Sequence, residues 1–360
     1  MVDRRQARQA AVRRALVAEG LDALLVSHLP NIRWLTGFTG SAAQLLLTAE
    51  HALLLTDFRY ATQAPQEAGS AADVVIERAS VWERIRREVE RRKLEAIGFE
   101  ATSLTVRDAE RLEGAARGRF RPVSELVEGQ RQVKDDEELA AIRAAAALAH
   151  EALDAVLPTI RVGDREIDVA ARLEAALRVR GSEWHPFQTI VASGPRSALP
   201  HAGTSERVIG RGEFLLIDYG AIVDGYCSDI TRTVVVGAAP DERQQRIYGL
   251  VQSAQRIARE AVRAGMTGRE ADALARTPLA EAGYGEAFGH SLGHGIGLEV
   301  HESPRLAATS DGLLPVGAVV TIEPGIYLPG WGGVRLEDDV WLSADGPVLL
   351  SNGHTDLLTI

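Results

Sequence analysis

Two aspartates, Asp218 and Asp229, stand where strand-like apolar segments meet a turn. Residues 214–217 are apolar and lead into Asp218-Tyr219-Gly220. Asp224-Gly225 is then a hairpin-turn signal, and residues 226–236 return as a strand carrying Asp229. With a two-residue turn at 224–225, residue 229 faces residue 220, which shares the parity of 218, so both carboxylates point to one face. A three-residue turn would separate them. Two carboxylates buried together repel, and a cation is the usual remedy. Further along, His290, His294 and His301 fall within a glycine-rich run that lets backbones approach closely. Glu323 ends the mostly apolar run 318–322. Arg335 and Glu337 stand two apart, a spacing that puts them on one face if the segment is a strand. A lone acid on a strand is usually solvated or paired with Arg, and Glu299, Glu302, Asp338 and Asp339 suit that reading. Several apolar-flanked acids plus a histidine open the alternative of a metal site, which the residues alone do not decide.

These side chains need scaffolding. Residues 1–20 carry five arginines with Ala7, Ala11, Leu16 and Val17 near helical spacing, predicting a helix with a solvated basic face. Strands are expected at 21–27, 32–35, 44–48, 52–56, 74–77 and 96–99. Helices are expected from 59 towards 67 with Pro65 as a breaker, over 81–92 with a solvated arginine face, and over 107–117. That alternation argues for a small α/β domain. Acidic residues 135–138 before a helically spaced apolar series predict a long helix leading into a second domain, followed by a helix at 166–180. Strands should dominate 186–238, helices 240–282, and glycine-rich strands 286–350. His201, His290, His294, His301, His185 and His354 all lie beyond residue 180, so the second half is the expected seat of chemistry.

Composition narrows the classes. The chain has 360 residues, 46% hydrophobic and 25% charged, which fits two ordinary globular domains and excludes disorder as the main state. No apolar run is long enough for a transmembrane helix. A net charge of −10 argues against a general nucleic-acid binder. With Cys227 as the one cysteine, an intrachain disulfide and a Cys-rich zinc site are excluded; it reads as a packed small hydrophobe. No signal-peptide pattern opens the chain, so a cytoplasmic location is expected. His28, His51, His150 and His354 read as surface or satisfied histidines, whereas His185 and Phe187 are candidates for lining a pocket. Glycines 293, 295 and 297 make only a weak phosphate-loop signal outside a strand–helix context.

Asp218 and Asp229, Gly220 and the string Ser228-Asp229-Ile230-Thr231-Arg232-Thr233 resemble the first metal motif of the aminopeptidase P and prolidase family. These are the pita-bread metallopeptidases. Segments 290–304, 321–325 and 333–339 resemble the remaining motifs in the family's order, and segments 31–41 and 56–60 resemble its N-terminal domain. The resemblance covers nearly the whole chain. It implies an α/β N-terminal domain of creatinase/prolidase type over residues 1–130. An α+β pita-bread catalytic domain would follow over residues 131–360. It also implies two divalent metal ions held by Asp218, Asp229, His294, Glu323 and Glu337, with Asp229 and Glu337 bridging. The oxygen-rich donor set favours Mn²⁺, with Zn²⁺ or Co²⁺ as alternatives. His201, His290, His301 and Arg335 would line the substrate site, with His201, His301, Glu323 and Arg335 taking catalytic parts. The implied activity is hydrolysis of the bond between an N-terminal residue and a following proline. An Xaa-Pro aminopeptidase is favoured over an Xaa-Pro dipeptidase (prolidase). A non-catalytic pita-bread binding protein and a metal-free, creatinase-like hydrolase are weaker readings, because no ligand is missing. A homodimer acting on peptides, with no nucleic-acid or membrane partner, is the family expectation.

Overall fold

A computed structural model describes residues 3–113, 118–351 and 353–360. The chain divides into two compact units, Met1–Arg131 and Gln132–Ile360.

The first unit contains α1 (Arg4–Ala18), β1 (Ala23–Val26), α2 (Leu29–Thr36), β2 (Gln44–Thr48), β3 (Ala52–Thr56), α3 (Gln63–Ala68) and β4 (Asp73–Ile76). It continues with α4 (Val81–Arg92), β5 (Ile97–Glu100), α5 (Val106–Glu113), β6 (Phe120–Val123) and α6 (Glu128–Arg131). Its six strands form one mixed sheet in the order β4-β3-β2-β1-β5-β6. Leu25, Leu46, Leu55, Ile97, Ile85 and Val89 build a core beneath it.

Four sequence expectations change here. Residues 32–35 are helical, not a strand: Pro30 lies in the first turn of α2 and Gly37 closes it with a left-handed φ of 84°. A short apolar run does not distinguish strand from helix, whereas these two terminators do. Pro65 does not break α3, because it falls in the first turn, where its missing N–H is no loss. The basic face of α1 is not simply solvated. Arg5 donates to the carbonyls of Thr36 and Glu67, Arg8 to that of Trp34 and Arg13 to that of Thr48. Val17 is exposed, as is Ala7, while Gln9, Val12 and Leu16 are buried. The arginine face of α4 is likewise part ion pair, since Arg84, Arg91 and Arg92 all engage the buried Glu88. The expected helix 107–117 is seen as α5, and residues 114–117 lie outside the described residues.

The second unit opens with α7 (Asp136–Val156), started by a capping box between Asp135 and Glu138, and α8 (Glu166–Val179). Then come β7 (Ile190–Ser193), β8 (Phe214–Tyr219), β9 (Ile222–Val223), β10 (Tyr226–Cys227) and β11 (Ile230–Val235). Helices α9 (Glu242–Ala261) and α10 (Gly268–Glu281) follow. The last strands are β12 (Gly293–Gly295), β13 (Glu302–Leu306), β14 (Val319–Ile322), β15 (Gly325–Leu328), β16 (Gly332–Arg335), β17 (Asp338–Ser343) and β18 (Gly346–Leu349). The sheets run β11-β8-β7 and β13-β12-β14-β17-β18, with the ribbons β9–β10 and β15–β16. Alternation sets the packing. Leu215, Ile217 and Tyr219 of β8 face the core formed with α7 and α8, so Asp218 faces the other side. Helices α9 and α10 cover the second sheet through Val251, Ala254, Ala271, Ala275, Val320 and Ile322. The α/β plus α+β architecture expected from the sequence is the observed one. Among the described residues, no helix is long and apolar enough to cross a membrane.

Candidate metal centre

The hairpin from β8 to β11 places the two aspartates. Val223 pairs with Tyr226 across a turn whose central residues, Asp224 and Gly225, have φ of 49° and 78°. Positive φ at both positions is the two-residue turn that matches strand twist. The same register brings Thr231 opposite Asp218 and Ile230 opposite Tyr219, so residue 229 faces 220 and both carboxylates share one face. Gly220 is needed there, because a Cβ would lie 2.0 Å from the Ser228 carbonyl oxygen and 2.7 Å from Pro186 Cγ. The segment with His185 and Phe187 therefore packs beside the hairpin.

The second sheet supplies the rest. His294 sits in β12 between Gly293 and Gly295, and Glu323 leaves the end of β14. Arg335 ends β16, while Glu337 lies in the two-residue link before β17. The expectation of one continuous strand through 335–337 is therefore corrected. Both side chains still converge on Thr231, whose hydroxyl donates to Glu337 Oε2 at 2.6 Å and accepts from Arg335 Nε at 3.0 Å.

Ligand atoms of Asp229, His294 and Glu337 lie within 4.8 Å of one another, and all three residues are buried. His294 Nε2 is 3.7 Å from Asp229 Oδ2 and 3.4 Å from Glu323 Oε1. Arg335 Nη2 donates to Asp218 Oδ2 at 2.6 Å, tying the fourth carboxylate to the group. The buried Oδ1 atoms of Asp218 and Asp229 have no hydrogen-bond partner among the described residues. His294 Nδ1 faces the Gly295 carbonyl at 3.0 Å; a proton on Nδ1 leaves the Nε2 lone pair directed at the carboxylates.

Electrostatics mark the cluster as unbalanced without a cation. Burial, then the neighbouring charges of Glu337 and Asp218, push the Asp229 carboxyl well above its ordinary range. Burial and the Glu323 and Asp218 charges do the same to Glu337. Glu323 is pushed up to about 8, mainly by burial. Burial lowers His294 to about 4, keeping its ring neutral and able to ligate. Orphaned oxygens, mutual repulsion and a neutral imidazole make a donor set suited to divalent cations.

The proposed substrate residues surround this set. His301 packs its ring 4.4 Å from that of His294 and is exposed. His290 lies 3.8 Å from Glu323, edge-on to Phe288 at 5.0 Å, and meets the Tyr327 hydroxyl at 2.8 Å. His201 is exposed on a turn beyond β7, and the carbonyl of the preceding Pro200 accepts from Arg335 Nη1 at 3.1 Å. Burial, then the Arg335 charge, lowers His290 to about 4, and burial also lowers His301. Direct contacts thus join Asp218, Asp229, His290, His294, His301, Glu323, Arg335 and Glu337, while His201 is linked through the backbone of Pro200. Thr231 and Tyr327 were missed, and their hydroxyls carry no charge to reveal them. Asp339 was misjudged: it is fully buried, with Oδ2 accepting the Asp229 N–H at 3.2 Å. Asp338 is Arg-paired as expected, yet wholly buried between Arg232 and Arg259. Cys227 packs with Leu139, Ile142 and Ile296 as a small hydrophobe.

Residues 140–344 match metallopeptidase family M24, and residues 8–133 match the creatinase/prolidase N-terminal domain. The chain belongs to metallopeptidase family M24. An Xaa-Pro dipeptidase from Pyrococcus horikoshii is 38% identical over 94% of this chain and 95% of its own. The solved structure of an Xaa-Pro dipeptidase from Bacillus anthracis is 41% identical, with a TM-score of 0.96 over 99% of this chain and 100% of that one. An X-Pro aminopeptidase structure from Thermotoga maritima is 37% identical, with a TM-score of 0.89 over 98% and 99%. As an M24 metallopeptidase, the protein is a hydrolase that uses divalent metal, and its pita-bread unit is the one holding the cluster.

Proposed function

We propose that the protein is an Xaa-Pro dipeptidase. One observation carries the reading: dipeptidases of that name match it end to end, on a site where Asp229, His294 and Glu337 form a buried ligand group that Glu323 and Asp218 adjoin. This reverses the preference for an aminopeptidase drawn from the sequence. The Thermotoga X-Pro aminopeptidase supports that activity as the second reading.

In this proposal Asp218, Asp229, His294, Glu323 and Glu337 hold two cations, Mn²⁺ first among them because oxygen donors predominate. Cations held there would supply Lewis acidity toward the scissile carbonyl and toward water. Glu323 is the carboxylate that would accept a proton from the attacking water and deliver it to the leaving nitrogen. Delivery is needed because the prolyl amide nitrogen carries no hydrogen of its own. His201 and His301 donate hydrogen bonds to the carbonyl oxygen as it gains charge. His290, walled by Phe288 and Tyr327, gives the proline ring an apolar seat. Arg335 fixes Asp218 and, through Thr231, Glu337.

The deciding assay offers the Mn²⁺-loaded protein an Xaa-Pro dipeptide and the tripeptide extended beyond proline. Cleavage of the dipeptide alone is expected; efficient cleavage of the tripeptide selects the aminopeptidase. A homodimer and a cytoplasmic location complete the proposal, tested by light scattering and by cell fractionation.

A further inference from the structure

The loop that carries His201 is tied down by a side chain no part of the chemistry has used. Glu166 opens α8 and is wholly buried. Its Oε1 accepts from the Ser193 backbone N–H at 2.7 Å and the Ser193 hydroxyl at 2.9 Å, where β7 ends and the loop begins. Its Oε2 accepts from Arg196 Nε at 3.0 Å and from the Ser205 hydroxyl at 2.6 Å, where the loop ends. One carboxylate therefore holds both feet of the segment 193–205. Arg196 also donates to the Gly203 carbonyl, and Arg207 reaches Ser193 Oγ at 2.5 Å, closing the base further. The tip is held from the metal side. Arg335 donates to the Pro200 carbonyl, and Ser197 Oγ accepts the Gly333 N–H at 2.8 Å. His201 itself is exposed, so the backbone on either side must set where its ring stands.

We propose that Glu166 is a positioning residue for His201, fixing the reach of that imidazole over the substrate carbonyl from outside the site. The inference rests on the role given to His201 above. A loop clamped at both feet loses little freedom when the ring engages substrate, and small misplacements of a catalytic group cost rate steeply. Glu166 touches none of the metal-ligand side chains, so its loss should leave cation binding alone.

The test is a double-mutant cycle on kcat with the Mn²⁺-loaded protein, using Glu166→Gln, Ser205→Ala and His201→Ala. Ser205→Ala removes the carboxylate's contact at the far foot, with the Arg207 N–H bond to the same hydroxyl, leaves the backbone bonds there, and guards against a Glu166→Gln variant that fails to fold. Expected are a fall in kcat of about tenfold or more for Glu166→Gln, a smaller fall for Ser205→Ala, and unchanged Mn²⁺ stoichiometry and affinity by calorimetry. In the His201→Ala background either change should cost almost nothing further, because residues acting through one group are non-additive. Losses that multiply independently in that background overturn the proposal while leaving the role of His201 intact. Wild-type kcat in both single variants overturns it too. A fully active His201→Ala protein instead removes the role of His201, and the positioning role with it.

Discussion

Asp229 is one of three carboxyls, with Glu337 and Asp339, that burial pushes well above their ordinary range. Its carboxylate faces Asp218, lies 3.7 Å from His294 Nε2, and takes its backbone direction partly from Asp339. Asp229→Ala should therefore weaken both cations and abolish turnover, and His294→Ala should do the same with the fold intact by circular dichroism. Turnover in either variant would sink the ligand assignment. Protons give a second handle. Asp229 and Glu337 are raised well above ordinary carboxyls, and Glu323 rises from 4.5 to about 8. A carboxyl whose folded value is raised contributes stability below its unfolded value and loses it as pH climbs through the folded one. For Glu323 that window runs from 4.5 to about 8. The metal-free protein should thus lose stability across this range. Mn²⁺ binds the ionised forms, so it should raise the melting temperature more at pH 8 than at pH 6 and release protons on binding near neutrality. Calorimetry in buffers of different ionisation enthalpy measures the release, and binding without it would show these carboxyls already ionised.

Elements bring these side chains together by packing backbones closer than most residues allow. A Cβ at Gly293 would lie 1.9 Å from the Thr321 carbonyl oxygen and 2.8 Å from Thr321 Oγ1, the atom that accepts the His294 N–H. Gly293→Ala must therefore push β12 from β14 and move His294. A loss of about 1–3 kcal/mol in stability is expected, as for other overpacked interiors, together with weaker metal binding. Gly289→Ala, where a Cβ meets nothing within 4 Å, is the matched control. Denaturant melts of the two should differ; equal stability would refute the close-approach argument. At this scale the sequence was legible wherever a local rule fixed geometry. The Asp224-Gly225 turn set the register, and the register set the shared face of Asp218 and Asp229. Residues 135–138 announced α7 through its cap. Legibility failed where the deciding contact was distant. Residues 32–35 were apolar enough for a strand but belonged to a helix bounded by Pro30 and Gly37. Arg335 and Glu337 share a destination across a strand break because Thr231, on another sheet, binds both. Nothing near residue 231 in sequence signals that meeting.

In the whole molecule, the two units have separate cores, and every proposed metal ligand falls within Gln132–Ile360. The ligands come from both larger sheets of that unit: Asp218 from β8 and Asp229 beside β11, then His294, Glu323 and Glu337 from β12 to β17. Cations binding here cross-link two sheets that otherwise press repelling carboxylates together. A ligand that binds only the folded state adds stability by mass action, about 2.7 kcal/mol at a hundredfold excess over its dissociation constant. That gain should appear where the ligands are anchored. Hydrogen exchange of the full chain, with Mn²⁺ and after chelation, reads it segment by segment. Chelation should speed exchange in β8, β11, β12, β14 and the 336–337 link. The six-stranded sheet of Met1–Arg131, which holds none of these side chains, should exchange at an unchanged rate. Equal deprotection of both units would mean that the cations stabilise the molecule by some route other than joining these sheets.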